Sequence, residues 1–251
     1  MRQPRSCFCD VDPAGGHQPL DGQALRERGA HGELLVEREG RPPEPTSMRW
    51  WLREPGAVAP TDLRALDVIE EGPVLDIGYS TGRHLERLMA RGIDAEGIDL
   101  LEAAVEQAVR HGCRVRLADL WTFRPARAYR HLLLMGNNIG LAGRLSRLPA
   151  LLDRLAGLLA PGGSVLVSGK DQRGGPDLPG RADWTASGER PYPGDRRIRH
   201  LYAGQTGPWF PWLDVDPDTL AARAADRGFE THVEADADGR FLATLRLRPR
   251  T

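Results

Sequence analysis

The stretch GPVLDIGYSTGRHLERLMARG, Gly72 to Gly92, decides how this chain is read. PVLDIG is short, apolar and β-prone, as a buried strand should be. TGRHLERLMARG follows with helical spacing and sets His84, Leu85, Leu88 and Met89 on one side. Between them lies a bend carrying Asp76, Gly78, Ser80 and Gly82 at alternate positions. In an open α/β sheet, ligands bind outside the carboxyl end of a strand, where it turns into its helix. Glycines there let backbone N–H groups approach a ligand, and the helix N-terminus favours negative charge. The glycines do not fall in the G-x-G-x-x-G spacing of a dinucleotide fingerprint.

Working outward, strand and helix patterns alternate. IDAEGID is a second strand and LLEAAVEQAVRHG a helix. RVRLADL and YRHLLLMGN are a third and a fourth strand. LSRLPALLDRLAGLLAPGG reads as a helix closed by Pro161-Gly162-Gly163, and SVLVSGKD as the fifth strand. ETHVEAD and RFLATLRLR alternate in polarity like a hairpin joined at Asp238-Gly239. The rhythm predicts an α/β fold: a doubly wound, mostly parallel seven-stranded sheet closed by a C-terminal antiparallel hairpin.

The flanks are less periodic. The first 30 or so residues are rich in Gly, Pro and Asp and read as loose. HGELLVEREG is a short strand or hairpin arm, and PTDLRALDVIEEG a helix. Residues 1–60 are taken as an N-terminal cap and 61–251 as the ligand-binding domain. About residues 172–213 form a Gly/Pro-rich lid inserted after strand five, followed by DPDTLAARAADRGF, a helix capped at Asp216 and stopped at Gly228.

Composition bounds the function. A chain of 251 residues buries one sizeable core, and a net charge of −1 without Lys/Arg runs gives no footprint for a nucleic-acid partner. The apolar runs are too short to span a bilayer, and MRQPRSCFCD lacks a signal-peptide core, so a cytoplasmic location and no membrane partner are expected. Cys7, Cys9 and His17 complete no tetrahedral metal set, so no metal is expected. Lys170 is the single lysine in an arginine-rich chain.

The pattern Asp76-x-Gly78-x-Ser80-x-Gly82 resembles motif I, D/E-x-G-x-G-x-G, of the class I S-adenosylmethionine (SAM)-dependent methyltransferases, with Ser80 at the middle glycine. The resemblance covers roughly residues 60–171. It implies that this loop wraps the methionine part of SAM, with Asp76 toward its amino group and Arg83 available to its carboxylate. Asp99, with Leu100 beside it, matches the family's acid at the two ribose hydroxyls; a carboxylate accepts both hydrogen bonds at once. Asp119 matches the acid at the adenine amine, with Leu120 or Trp121 against the ring. Gly136-Asn137-Asn138 stands where motif IV falls, without the prolines and aromatic residue of amino-methylating members.

The fold and cofactor implied place the acceptor at the carboxyl ends of strands four and five and under the lid. His200, Asn137 and Tyr202 are the candidate catalytic residues, His200 because its imidazole titrates near neutrality. Asn138, Lys170, Trp209, Trp212 and Trp51 are candidates for the acceptor site, with Gly136 at the cofactor; aromatic rings wall off pockets and face a sulfonium by cation–π attraction. The reading is methyl transfer from SAM to a small molecule in metabolite biosynthesis or tailoring, leaving S-adenosylhomocysteine. Alternatives are intramolecular cyclisation of SAM releasing methylthioadenosine, and a catalytically silent SAM-binding protein.

Overall fold

A computed structural model describes residues 19–49, 51–54, 56–173 and 192–248. Ahead of the quoted stretch lie α1 (Pro19–Glu27), β1 (Leu35–Arg38), β2 (Glu44–Pro45) and α2 (Pro60–Asp67). The stretch gives β3 (Val74–Ile77) and α3 (Arg83–Ala90). Then come β4 (Ala95–Asp99), α4 (Glu102–Arg110), β5 (Val115–Leu117), β6 (Tyr129–Leu134), α5 (Leu148–Ala156) and β7 (Leu159–Lys170). The remainder is β8 (Asp195–Tyr202), β9 (Gln205–Thr206), β10 (Phe210–Leu213), α6 (Pro217–Ala225), β11 (Phe229–Ala235) and β12 (Arg240–Leu247).

Seven strands form one sheet in the order β11-β12-β7-β6-β3-β4-β5. β3 to β7 run parallel, and β12 pairs antiparallel with both β7 and β11. β3 is an interior strand, between β6 and β4, and presents apolar side chains to both faces. Leu75 and Ile77 pack with Leu151, Leu152 and Leu155 of α5, while Val74 packs with Leu85 and Leu88 of α3. All five partners are buried, so each face of the sheet owns a core, as a doubly wound fold requires. Asp216 caps α6 by accepting from the Thr219 N–H at 3.0 Å.

Three details depart from the sequence reading. α5 stops at Ala156, and Pro161-Gly162-Gly163 lies inside β7, where the pairing with β6 skips between Tyr129 and His131. A bulge tolerates a proline without an N–H and Gly162 at φ +73°. The supposedly loose N-terminal region contains α1, whose Leu20, Ala24 and Leu25 are buried.

The third is topological. β1 and β2 of the N-terminal region join β8 and β10 in a second, antiparallel sheet of order β10-β8-β1-β2, with β9 on β8. Cap and lid strands are thus one layer, with Leu20, Ala24, Leu34 and Tyr202 as its own small core. Residues 174–191 of the expected lid, and Trp50, Cys7, Cys9 and His17, lie outside the described residues.

Candidate functional site

The bend after β3 is built from left-handed backbone: Gly78 has φ +71°, Ser80 +56° and Gly82 +78°. Ser80 therefore occupies a conformation that costs a residue with a side chain about 1 kcal/mol. Two backbone contacts hold it. The Ser80 N–H donates to Asp99 Oδ2 and the Leu101 N–H to Asp99 Oδ1, both at 2.9 Å. From β6 the Asn138 amide donates to the carbonyls of Ile77 at 2.9 Å and Gly78 at 2.8 Å, so it clasps the bend from the opposite side.

These elements open onto a cavity of about 310 Å³ between the strand ends and the second sheet. Its floor is Gly78, Ser80, Asp99, Leu100, Asp119, Leu120 and Gly136, all expected there from sequence. Trp121 closes one side; its N–H donates to Asp119 Oδ1 at 2.9 Å, and the Arg147 guanidinium lies 4.9 Å from its ring. The roof is Trp51, Ile198, His200, Phe210 and Trp212. A larger hollow at the outer edge of β4 and β5 is walled by ion pairs such as Arg116–Glu96 at 3.0 Å and is remote from the strands' carboxyl ends.

Burial pushes the Asp99 carboxyl up to about 6, opposed by its backbone hydrogen bonds and aided slightly by Asp76. Asp76 itself does not line the cavity. It is fully buried and faces His84, whose Nδ1 lies 3.5 Å from Asp76 Oδ2 and whose Nε2 lies 3.3 Å from Asp62 Oδ2. The chain of contacts continues: the Ser168 hydroxyl donates to Asp62 at 2.6 Å and accepts from the Gly136 N–H at 2.8 Å. Burial opposes charge on His84, but Asp62 and Asp76 outweigh it and raise its pKa above the ordinary value.

Other expected residues lie elsewhere. Arg83 turns beneath the bend, 3.9 Å from Asp62, and Gly82 sits against Ala108 and Cys113, where it lets α3 approach α4. Tyr202 is buried under α1, where its hydroxyl accepts from the His31 N–H at 3.3 Å, so it is not at the cavity. Trp209 is on the far face of the second sheet, with the Arg199 guanidinium 4.5 Å from its ring; Arg197 and Arg199 alternate with the cavity-facing Ile198 and His200 along β8. The Asn137 amide is engaged by Asp214 at 2.7 Å. Asn137 and Lys170 line a separate cleft of about 230 Å³, which meets the main cavity at Gly136.

Sequence reasoning missed Asp21 and Leu25 of α1, both of which line the cavity. His200 Nδ1 lies 2.5 Å from Asp21 Oδ1. Burial raises the Asp21 carboxyl above its ordinary range, and His200 offsets only part of that. The available signal was the spacing of Leu20, Ala24 and Leu25, masked by the glycine and proline around it. Among the described residues no three His, Cys, Asp or Glu side chains are placed to hold a metal. Nor is any helix among them long and apolar enough to cross a membrane.

No family model matches the sequence, and no curated protein matches it. Solved structures do match. A SAM-dependent methyltransferase from Bacteroides fragilis, in complex with S-adenosyl-L-homocysteine, is similar with a TM-score of 0.77 at 25% identity, over 91% of this chain and 94% of that one. The DhpI–SAH complex is similar with a TM-score of 0.61 at 20% identity, over 94% of this chain and 100% of that one. The CcbJ methyltransferase from Streptomyces caelestis gives a TM-score of 0.59 at 16% identity, over 79% of this chain and 94% of that one. The last two likenesses concern the fold.

Proposed function

We propose that this chain, a class I SAM-dependent methyltransferase, methylates a small-molecule acceptor in the cavity between its two sheets. The observation that carries the reading is the convergence of Ser80, Asp99, Asp119 and Gly136, from four different strand ends, on one cavity roofed by aromatic side chains.

The residues fit the cosubstrate. Gly136 has φ +63° and nothing within 4 Å of where a Cβ would stand, so a side chain there would fill the floor between the main cavity and the adjoining cleft. That room suits the methionine arm. Asp99 presents a carboxylate fixed by two backbone N–H groups, with lone pairs left for ribose hydroxyls. Asp119 is held by the Trp121 N–H and suits the adenine amine, with Leu120 and Trp121 against the ring. Asp76 and Arg83 then support the loop from below rather than touching the cosubstrate.

When bound, SAM supplies an electrophilic methyl group on a sulfonium. The chain's own task is to place an acceptor atom in line with it and exclude water, which supplies most of the rate enhancement. Trp51, Phe210 and Trp212 serve that exclusion, and their faces favour a cation beside them. Neighbours of the same fold include a sugar N-methyltransferase, KedS8 from Streptoalloteichus, and a glycopeptide N-methyltransferase, MtfA. They support a role in tailoring a metabolite.

Calorimetric titration with SAM and S-adenosylhomocysteine tests the reading, with Asp99→Ala as control. Micromolar binding that the variant loses is the expected result. A well-folded wild-type protein that binds neither ligand sinks the assignment.

A further inference from the structure

Among the described residues the roof of the cavity carries one polar feature, and it differs in kind from the floor. Asp21 of α1 and His200 of β8 are 7% and 8% exposed, both line the cavity, and their side chains touch at 2.5 Å through His200 Nδ1. Around them the surface is apolar: Leu25, Trp51, Leu141, Ile198, Phe210 and Trp212. Phe210 stands edge-on to the His200 ring at 5.6 Å and keeps it from tilting. The carboxylate lies against Nδ1 as a close ion-pair contact rather than an aligned hydrogen bond, which leaves Nε2 as the nitrogen to take a proton.

We infer that Asp21 and His200 form a general-base dyad, and that the acceptor is a planar molecule bearing a hydroxyl of the phenol class. The inference rests on the methyltransferase reading above. Among the described residues no arginine or lysine lines the cavity, so an acceptor carrying carboxylate or phosphate would meet no counter-charge from them. A protonated amine would sit beside a sulfonium cation in a cavity of about 310 Å³, with Asp21, already against His200, as the roof carboxylate to receive it. A neutral hydroxyl on an aromatic ring avoids both penalties and matches the walls. In the transfer, the acceptor O–H proton passes to His200 Nε2 as the O–CH3 bond forms. The S–CH3 bond breaks with its electron pair remaining on sulfur, which leaves a neutral thioether. The imidazolium then returns its proton to solvent. His200 is the catalytic residue; Asp21 is a positioning residue that holds the ring and stabilises its charge.

Other titrating groups share the space: Asp99 and Asp119 face His200 from the floor, and Arg197 and Arg199 flank it on the opposite face of β8. Acceptor acidity is therefore the variable that isolates the proton transfer. Transfer from SAM to phenol and to 4-nitrophenol is measured for wild type, His200→Gln and Asp21→Asn, with S-adenosylhomocysteine affinity recorded for each. At pH 9 the nitro compound is already a phenolate and needs no base. With phenol, His200→Gln loses about 100-fold in rate and Asp21→Asn about 10-fold. With 4-nitrophenolate both deficits shrink to about threefold or less, while S-adenosylhomocysteine affinity is retained.

Equal losses with both acceptors would make the pair structural and overturn the dyad. A wild-type protein that binds S-adenosylhomocysteine yet methylates neither probe, or methylates phenethylamine instead, overturns the acceptor class. Failure to bind S-adenosylhomocysteine at all removes the parent reading, a separate outcome.

Discussion

Asp62 and Asp76 face each other across the imidazole of His84, one oxygen 3.3 Å from Nε2 and the other 3.5 Å from Nδ1. The three side chains are all buried, directly beneath the bend that shapes the cavity floor. α2, β3 and α3 are thereby tied at one point, and Ser168 extends the tie to Gly136 at the end of β6.

This makes stability depend on pH at both ends. His84 has a raised pKa, so its contribution is complete below the unfolded value of about 6.5 and is lost as pH rises through the folded value. For Asp62, burial alone would raise the carboxyl, but His84, Ser168 and Arg83 together lower it. Its contribution is present above the unfolded value of about 3.9 and lost as pH falls through the folded one. The expected denaturation midpoint is highest at weakly acidic pH and declines on the alkaline side. His84→Gln should cost about 3 kcal/mol near pH 6, because two buried carboxylates lose their partner. Urea melts from pH 4 to 9 check this; a variant whose decline with rising pH parallels that of wild type would refute it.

Ser80 offers a test of backbone strain. Its φ of +56° costs about 1 kcal/mol, and glycine there relieves that at an entropic cost of about 0.5 kcal/mol in the unfolded chain. Ser80→Gly should be neutral to about 0.5 kcal/mol stabilising and should keep S-adenosylhomocysteine affinity, since the bond to Asp99 comes from the backbone N–H. Ser80→Val, branched at Cβ, should lose more than 1 kcal/mol and weaken binding. Thermal melts and calorimetry on both variants decide the matter.

How far the sequence revealed this site follows from which links are local. The strands of the sheet are written in short windows of apolar period and turn chemistry, and Gly78 and the acids at or just after the ends of β4 and β5 sit where those windows put them, whereas Gly82 packs against α4 instead. Asp76 shows the limit: its spacing is that of a ligand-facing acid, yet its partner is His84, eight positions on and brought back by the bend. Tyr202 ends β8 and Trp209 immediately precedes β10, and which way each faces depends on its side of the second sheet, a tertiary property. Asp21 was invisible for the same reason. The pairing of β1 with β8 and the packing of Leu25 on Ala103 and Ala104 of α4 set α1 over the cavity, and none of these segments announces the others.

Asp99 illustrates a conflict between stability and binding. Its folded pKa of about 6 lies above the ordinary carboxylate value, so at neutral pH the ionised side chain opposes folding, and that penalty fades as pH falls from about 6 to the unfolded value of about 3.9, below which it is gone. Asp99→Asn removes the charge but leaves one acceptor oxygen for two backbone donors. The ligand-free variant should therefore gain only about 1 kcal/mol at pH 7 and should lose S-adenosylhomocysteine binding by at least about tenfold. A variant that is less stable than wild type at pH 7, yet equal to it at pH 5, would contradict the sign of this argument.

The roof can be displaced without touching any polar group. Gly140, in the turn after β6, packs against the indole of Trp212, and a Cβ at that position would run into the ring. Phe210 stands edge-on to the ring at 6.3 Å, so the open side left for it to yield is the cavity. Gly140→Ala should therefore push the indole into the acceptor space. Overpacking of this kind costs about 1–3 kcal/mol in stability. The cosubstrate floor is built from other elements, so S-adenosylhomocysteine affinity should stay within about twofold while turnover with any acceptor falls by about tenfold or more. Replacing the indole at the same time, in Gly140→Ala/Trp212→Phe, returns space to the cavity and should recover most of the stability. Non-additivity in that double variant is the decisive measurement, because two independent sites would simply sum.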